Sequence, residues 1–406
     1  MVRLISNTVT IRDVAEAAGV SISLVSFVLN AKKGPNGEYL CSASKETAER
    51  IVDTAKRLGY KKNMAASSLR SGFSNTLGIV VADISNSFFG EVCRHIENIS
   101  AQAGYLSIFG SSDDNPEKMC QLLNRFIATG VDGLIVAPCA HTEKLLSDIV
   151  RNSVPVVIFD RDLENLAGVG KVMMDNEYAG RQATRHLIEN GHKKIEMVRY
   201  QSDIPTILQR FTGYRKEMEE NGLACYVKDN IISKPTIGID MVDVIKNSYD
   251  RGVDALIFPS NVLTVKGLTA INSLGYKIPD DFGVVGFDQG DNAEIYSPKL
   301  TYVYQPTELV AKQSFEMLHK MINEEEVSLS KTVASKFVLG MSSGSSKNAK
   351  EDSVLLCGSA FDDIGGWTSD SQFMDVMGSS YLLAHGLGHP VKDASTVFFV
   401  AKEGDY

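Results

Sequence analysis

A chain of 406 residues is too long for one hydrophobic core and implies two or three domains. Hydrophobic residues at 44% and charged residues at 22% are ordinary for a soluble globular protein, and no stretch reaches the length of a membrane span. The net charge of −9 is unevenly spread: residues 1–72 carry 11 Lys and Arg against 6 Asp and Glu, whereas residues 351–406 carry 2 against 9. One basic module on an acidic body suits a protein whose head alone meets phosphate. Six cysteines, at 41, 93, 120, 139, 225 and 357, lack CxxC spacing. They read as reduced core thiols, which excludes a disulfide or zinc framework.

The N-terminus, MVRLISNTVTIRD, has no signal-peptide apolar region, so a cytoplasmic location is expected. From Thr10 to Asn30, TIRDVAEAAGVSISLVSFVLN contains two short helical patterns separated by Gly19-Val20. Thr10 and Asp13 form a capping-box-like pair, and Ser21 is a natural N-cap for the second helix. Val14, Ala15 and Ala18 make one apolar face, and Val25, Val28 and Leu29 point back onto it. Ile22, Ser23, Leu24, Ser26 and Phe27 are left outward. This is a helix-turn-helix layout, whose second helix enters the DNA major groove. Residues 31–43, AKKGPNGEYLCSA, form a loop, and Ser44 caps a third helix over 45–58 that Gly59 closes.

Beyond residue 76 the period changes. Apolar β-rich runs at 77–83, 105–111, 131–138 and 154–160 alternate with helical stretches, and a second series follows at 169–175, 194–200, 227–232, 254–260 and 281–288. Such alternation predicts parallel sheets in two α/β lobes with a cleft between them, where ligands sit beyond the carboxyl ends of the strands. Those ends carry Asp83, Asp160, Asn261 and Asp288. An amphipathic helix over 308–325 and a last strand over 332–340 complete the core, and residues 341–352, MSSGSSKNAKED, read as a linker. The acidic tail from 353 to 406 holds apolar runs at 354–356, 381–384 and 396–400. It reads as the β-rich opening of a further domain, weakly similar to regions that precede enzymatic or carbohydrate-associated domains.

TIRDVAEAAGVSISLVSFVLN, SKETAERIVDTAKRLGY, NMAASSLRSG and LGIVVADISNSFF, in this order and spacing, resemble the lactose/galactose-repressor (LacI/GalR) family over residues 9–340. The resemblance implies a helix-turn-helix head over 8–60, a hinge over 61–75, and a two-lobed, periplasmic-binding-protein-like α/β sensor over 76–340. It also implies a homodimer that binds double-stranded, pseudo-palindromic operator DNA under control of a sugar-like effector, with no cofactor, metal or membrane partner. The DNA-facing set becomes Thr10, Ser21, Ile22, Ser23, Leu24, Ser26, Phe27 and Asn30, joined by Asn63, Ala66 and Leu69 of the hinge, where the leucine would wedge into a minor-groove step. The effector set becomes Phe88, Phe89, Asp83, Asp160, Arg210, Asn261 and Asp288, with Arg210 in QRFTGY and Asp288 in VGFD matching family positions. Two departures stand out. Val262 follows Asn261 where the family often has Asp, and Phe27 stands where a base-reading arginine is frequent.

Three enzyme-like patterns carry no chemistry. Gly340-Met341-Ser342-Ser343-Gly344 satisfies G-x-S-x-G, yet a Ser-rich linker follows where a nucleophile elbow needs a helix. His385 and His389 have i, i+4 spacing, but Gly386 and Gly388 argue against the helix that would align them for metal. Gly168 and Gly170 precede a strand and so make no dinucleotide fingerprint.

Overall fold

The computed structural model describes residues 9–31, 43–61 and 72–344, save 165, 202–204, 234–236, 289–292 and 294, together with the backbone of 368–370 and 381–383. The expected hinge residues Asn63, Ala66 and Leu69, most of the loop over 31–43, and nearly all of the tail lie outside the described residues. The chain divides into two compact units, Met1–Asn75 and Thr76–Tyr406.

In the first unit, α1 (Ile11–Ala18) begins at Thr10, whose hydroxyl accepts from Asp13 N while the Asp13 carboxylate accepts from Thr10 N at 2.7 Å. Gly19, with φ of +65°, ends the helix in the left-handed conformation that favours glycine. Ser21 caps α2 (Ile22–Asn30), and the two helices meet at 105°. α3 (Lys45–Leu58) covers both, burying Ala48, Ile51 and Ala55 against Val14, Ala15, Ala18, Val25 and Val28.

The second unit is a pair of α/β lobes. The first lobe contains β1 (Thr76–Val81), α4 (Ser87–Gln102), β2 (Leu106–Ser111), α5 (Pro116–Thr129), β3 (Gly133–Val136), α6 (Glu143–Arg151), β4 (Val156–Phe159) and β5 (Gly170–Met174). The chain then crosses to the second lobe: α7 (Asn176–Glu189), β6 (Ile195–Tyr200), α8 (Pro205–Glu220), β7 (Asp229–Ile232), α9 (Ile237–Asp250), β8 (Ala255–Ile257), α10 (Asn261–Ser273), β9 (Gly283–Phe287) and β10 (Thr301–Tyr304). It returns to the first lobe as α11 (Thr307–Ile322) and β11 (Ser330–Val333), then crosses again to β12 (Lys336–Val338). The sheet orders are β2-β1-β3-β4-β5-β11 and β7-β6-β8-β9-β10-β12, so the second repeats the first strand for strand. Every pairing in these sheets is parallel except β10 with β12.

Buried parallel strands need apolar side chains on both faces. In the first lobe Leu77, Ile79 and Val81 pack with α4 and α11 around Phe89, Ile96 and Phe315, while Val80 and Val136 meet Met119 and Leu123 on the other face. The second lobe is layered in the same way around Phe258 and Phe282 on one face and Tyr214 and Phe287 on the other.

Four expectations change. The single last strand over 332–340 is two strands in different sheets, split at Ala334-Ser335 where the chain changes lobe. Thr301–Tyr304 is a strand that the sequence reading passed over. Ser342 and Ser343, assigned to the linker, are buried: Ser342 Oγ donates to Val284 O at 2.7 Å and accepts from Thr301 N, so the core runs past 340. Those bonds also commit the serine at the centre of the G-x-S-x-G pattern to a structural role. Finally, Cys225 is exposed, unlike buried Cys93 and Cys139. In the tail, β13 (Thr368–Asp370) and β14 (Tyr381–Leu383) pair antiparallel.

Helices α7 and α8 touch backbone to backbone. A Cβ on Gly180 would lie 2.0 Å from the Arg210 carbonyl oxygen, and one on Gly213 would lie 2.0 Å from that of Glu177. Only glycine fits at either place, and the contact sets the height of Arg210. Gly213→Ala should therefore lower stability by about 1–3 kcal/mol through overpacking. Urea denaturation would measure it, and an unchanged midpoint would mean that the helices can part at no cost.

Candidate DNA-facing helix and ligand cleft

Helix α2 is buried along one side only. Val25 and Val28 enter the head core, Leu29 is half-buried, and Ile22, Ser23, Phe27 and Asn30 are exposed. Leu24, expected to face outward, packs against the core instead, because a short helix lying across two others buries a stripe wider than its i, i+3, i+4 line. Three polar members of the expected DNA-facing set are engaged within the head: Thr10 in its cap, Ser21 accepting from Leu24 N, and Asn30 Nδ2 donating to Ser26 O at 2.7 Å.

The cleft lies between the two lobes of the second unit. Its lining includes Phe88, Phe89, Asp160, Arg210, Asn261 and Asp288, so six of the seven expected effector residues converge there, around a cavity of about 80 Å³ that opens to solvent at the mouth. Asp83 does not. It is exposed, and its carboxylate accepts from Ser85 N and Ser85 Oγ in a tight turn. Asn86, three residues further, takes the wall of the cleft and caps α4 by accepting from Phe88 N.

Arg210 is the centre of the site. The residue is 1% exposed, held by Nε donating to Asn176 Oδ1 at 2.9 Å and Nη1 donating to Pro259 O at 2.8 Å. Asp288 Oδ2 lies 3.6 Å from Nη1, and the guanidinium carbon stands 4.6 Å over the Phe287 ring. Among the described residues its Nη2, which is buried, has no hydrogen-bond partner. A buried donor left unmade costs about 1–3 kcal/mol, so this group is poised for a ligand acceptor.

Asp160 and Asp288 occupy matching places in the two repeated lobes. Each ends its strand, in Val156-Val157-Ile158-Phe159-Asp160 and Val284-Val285-Gly286-Phe287-Asp288, and each has positive φ, 64° and 56°. Burial pushes the Asp160 carboxyl up to about 6, against the opposing pull of Arg161 and Arg210 and with help from the Asp288 charge. Asp288 is also raised, by burial, although Arg210 and Gln305 hold it down; Gln305 donates to it from both N and Nε2. Arg161, which the sequence reading missed, bonds to Asp114 and stands 5.5 Å from the Phe89 ring.

The mouth is bridged. Asn261 Nδ2 donates to Asn86 Oδ1 at 2.6 Å and to Ser87 Oγ at 3.1 Å, while Thr206 Oγ1 donates to the Asp160 carbonyl at 2.9 Å. Tyr200, Thr206, Ile207, Ser260, Val262 and Gln305 complete the lining without having been expected. A strand-end rule would have found Tyr200 and Ser260; Gln305 lay hidden behind the strand that was passed over. Two cations, two carboxylates, amides, hydroxyls and two phenyl rings suit a small polyhydroxylated ligand with an apolar ring face.

Residues 10–63 match the family of bacterial regulatory proteins, lacI family, and residues 184–343 match a periplasmic binding protein-like domain. Catabolite control protein A of Priestia megaterium is 31% identical over 324 residues, spanning 79% of this chain and 94% of that protein. The crystal structure of the Lac repressor dimer bound to operator and the anti-inducer ONPF has a TM-score of 0.70 at 20% identity, covering 83% of this chain and 99% of that one. The transcriptional regulator CelR–cellobiose complex has a TM-score of 0.58 at 24% identity over 83% and 100%. At those identities the two structures establish a shared fold.

The raised Asp160 carboxyl has a consequence for stability. A folded-state pKa above the unfolded value means that the native protein binds the proton more tightly. The stabilisation is present at low pH and is lost as pH rises from about 4 through 6. Asp160→Asn should abolish that loss. Between pH 4 and pH 7 the variant should gain on the order of 2–3 kcal/mol relative to the parent, read by urea unfolding at both pH values. Parallel profiles for the two proteins would show that the group is not perturbed.

Proposed function

Because the chain belongs to the lacI family of bacterial regulatory proteins, we propose that it is a ligand-responsive transcriptional regulator that binds a pseudo-palindromic operator as a dimer. The head supplies the DNA contact: a capped helix pair crossing at 105° within a segment of residues 1–72 whose charge is basic. The cleft supplies the signal, a sugar or sugar derivative. The observation that carries this is the buried Nη2 of Arg210, which has no partner among the described residues, on a guanidinium held by Asn176 and Pro259 in a cleft walled by Asp160 and Asp288. A hydroxyl oxygen placed there satisfies the donor, and the carboxylates accept the neighbouring hydroxyl protons. The CelR–cellobiose complex is an example of a sugar bound by a protein of this fold. Action in the cytoplasm, where operator DNA is reached, goes with this reading.

Three crossings join the lobes, at residues 174–176, 304–307 and 333–336. Arg210 bonds to Asn176 on the first, and Asp288 bonds to Gln305 on the second. A ligand that draws on either charged group therefore pulls on a segment that sets the angle between the lobes. This is the two-state element that coupling between sites requires.

A melting-temperature screen of mono- and oligosaccharides should identify the ligand, since binding to the native state raises the transition. Charge-assisted hydrogen bonds are worth about 1.5–3 kcal/mol, so Arg210→Ala should weaken that sugar at least tenfold by calorimetry while operator binding, steeply dependent on salt, survives. Unchanged affinity in the variant would place the ligand elsewhere.

A further inference from the structure

The outward face of α2 has an unusual chemistry for a helix meant to read DNA. ISLVSFVLN contains no charged residue, and no Gln or His. Its only polar side chains are Ser23, Ser26 and Asn30, and the Asn30 amide nitrogen is turned back onto its own helix, donating to Ser26 O at 2.7 Å and meeting Ser26 Oγ at 3.3 Å. Against that, two large apolar side chains stand in solvent: Ile22 is 42% exposed and Phe27 is 52% exposed. They lie five residues apart, about 140° around the helix with exposed Ser23 between them, and they flank the buried stripe of Val25 and Val28.

Resting on the reading of the head as a DNA-binding module, we propose that this protein selects its operator by thymine C5-methyl groups, contacted by Ile22 and Phe27. In the major groove the base pairs offer hydrogen-bond donors and acceptors, and thymine alone among the four bases adds an apolar group. An isoleucine or phenylalanine pressed on guanine would cover the N7 and O6 acceptors and give nothing back. That desolvation is unfavourable, whereas pressing on a methyl removes apolar surface from water on both partners. Phe27 therefore selects for thymine and against guanine in one stroke. Ser23, exposed beside them, can bond to more than one base and adds little choice. Phosphate contacts come from other parts of the basic head, so affinity and base choice have separate sources.

The test uses the full-length protein and duplexes that it enriches from a randomised pool. Thymines of the enriched half-site are replaced one at a time by deoxyuridine, which keeps every hydrogen-bonding group and removes only the methyl. Dissociation constants are measured at one salt concentration for the parent, Ile22→Ala and Phe27→Ala. Burying one methyl is worth about fourfold in affinity, so at least two positions in the half-site should lose threefold to tenfold with the parent protein. One penalty should vanish in Phe27→Ala and the other in Ile22→Ala. Both side chains are exposed, so the variants should melt like the parent. Uridine substitution without effect, or penalties unchanged in both variants, would overturn the proposal while leaving DNA binding intact. Failure to enrich any duplex would overturn DNA binding itself, and this proposal with it.

Discussion

A buried guanidinium needs its charge compensated, and Arg210 organises its surroundings for that reason. Asn176, Pro259 O, Asp288 and the Phe287 ring each take a share of the charge. Its position depends on the contact of α7 and α8 at Gly180 and Gly213, because a side chain at either would push the helix carrying Arg210 away. Removing Arg210 alone would leave the Asp288 carboxylate buried with its Gln305 donors and without the cation that offsets its charge. The pair is thus retained as a unit, with one donor in reserve.

The partners of that unit lie on the segments that join the lobes, which gives the cleft its mechanical meaning. Asn176 begins α7 immediately after the first crossing, and Gln305 stands in the second. Cross-lobe bonds at the mouth, from Asn261 to Asn86 and from Thr206 to the Asp160 carbonyl, hold the lobes together with hydrogen bonds that a polyol could replace. An incoming ligand then alters the lobe arrangement only by the difference between what it offers and what these bonds already provide. The doubling of the fold places an aspartate at the same strand end in each lobe, so the cleft has carboxylates on both walls.

Much of this was legible in the residues. Thr10, Asp13, Gly19 and Ser21 announce the helix pair because caps and turns depend on single side chains. VVIFD and VVGFD announce buried strands ending in acid. What the sequence reading missed depends on where the backbone turns after a strand. Asp83 sits at the right strand end but bends into a turn with Ser85, and Asn86 takes its place in the cleft. Thr301–Tyr304 went unread because Pro298 and Pro306 flank a run of only four residues, and with it went Gln305. The stretch from 332 to 340 has one continuous β pattern, yet it serves two sheets, and no local propensity records a change of lobe. Leu24 turned inward for a tertiary reason, the angle at which α2 crosses its neighbours.

The central claim is that the cleft and the DNA-binding head share one equilibrium. The direct measurement is the affinity of the cleft sugar, by calorimetry, for the free protein and for the protein saturated with its operator. Coupling free energies of this kind change affinity by about 5–150-fold, and linkage requires the sugar to change operator affinity by the same factor in the same direction. The account predicts a matched pair of factors of at least five. A sugar that binds free and operator-bound protein equally would contradict it, however tightly it occupied the cleft.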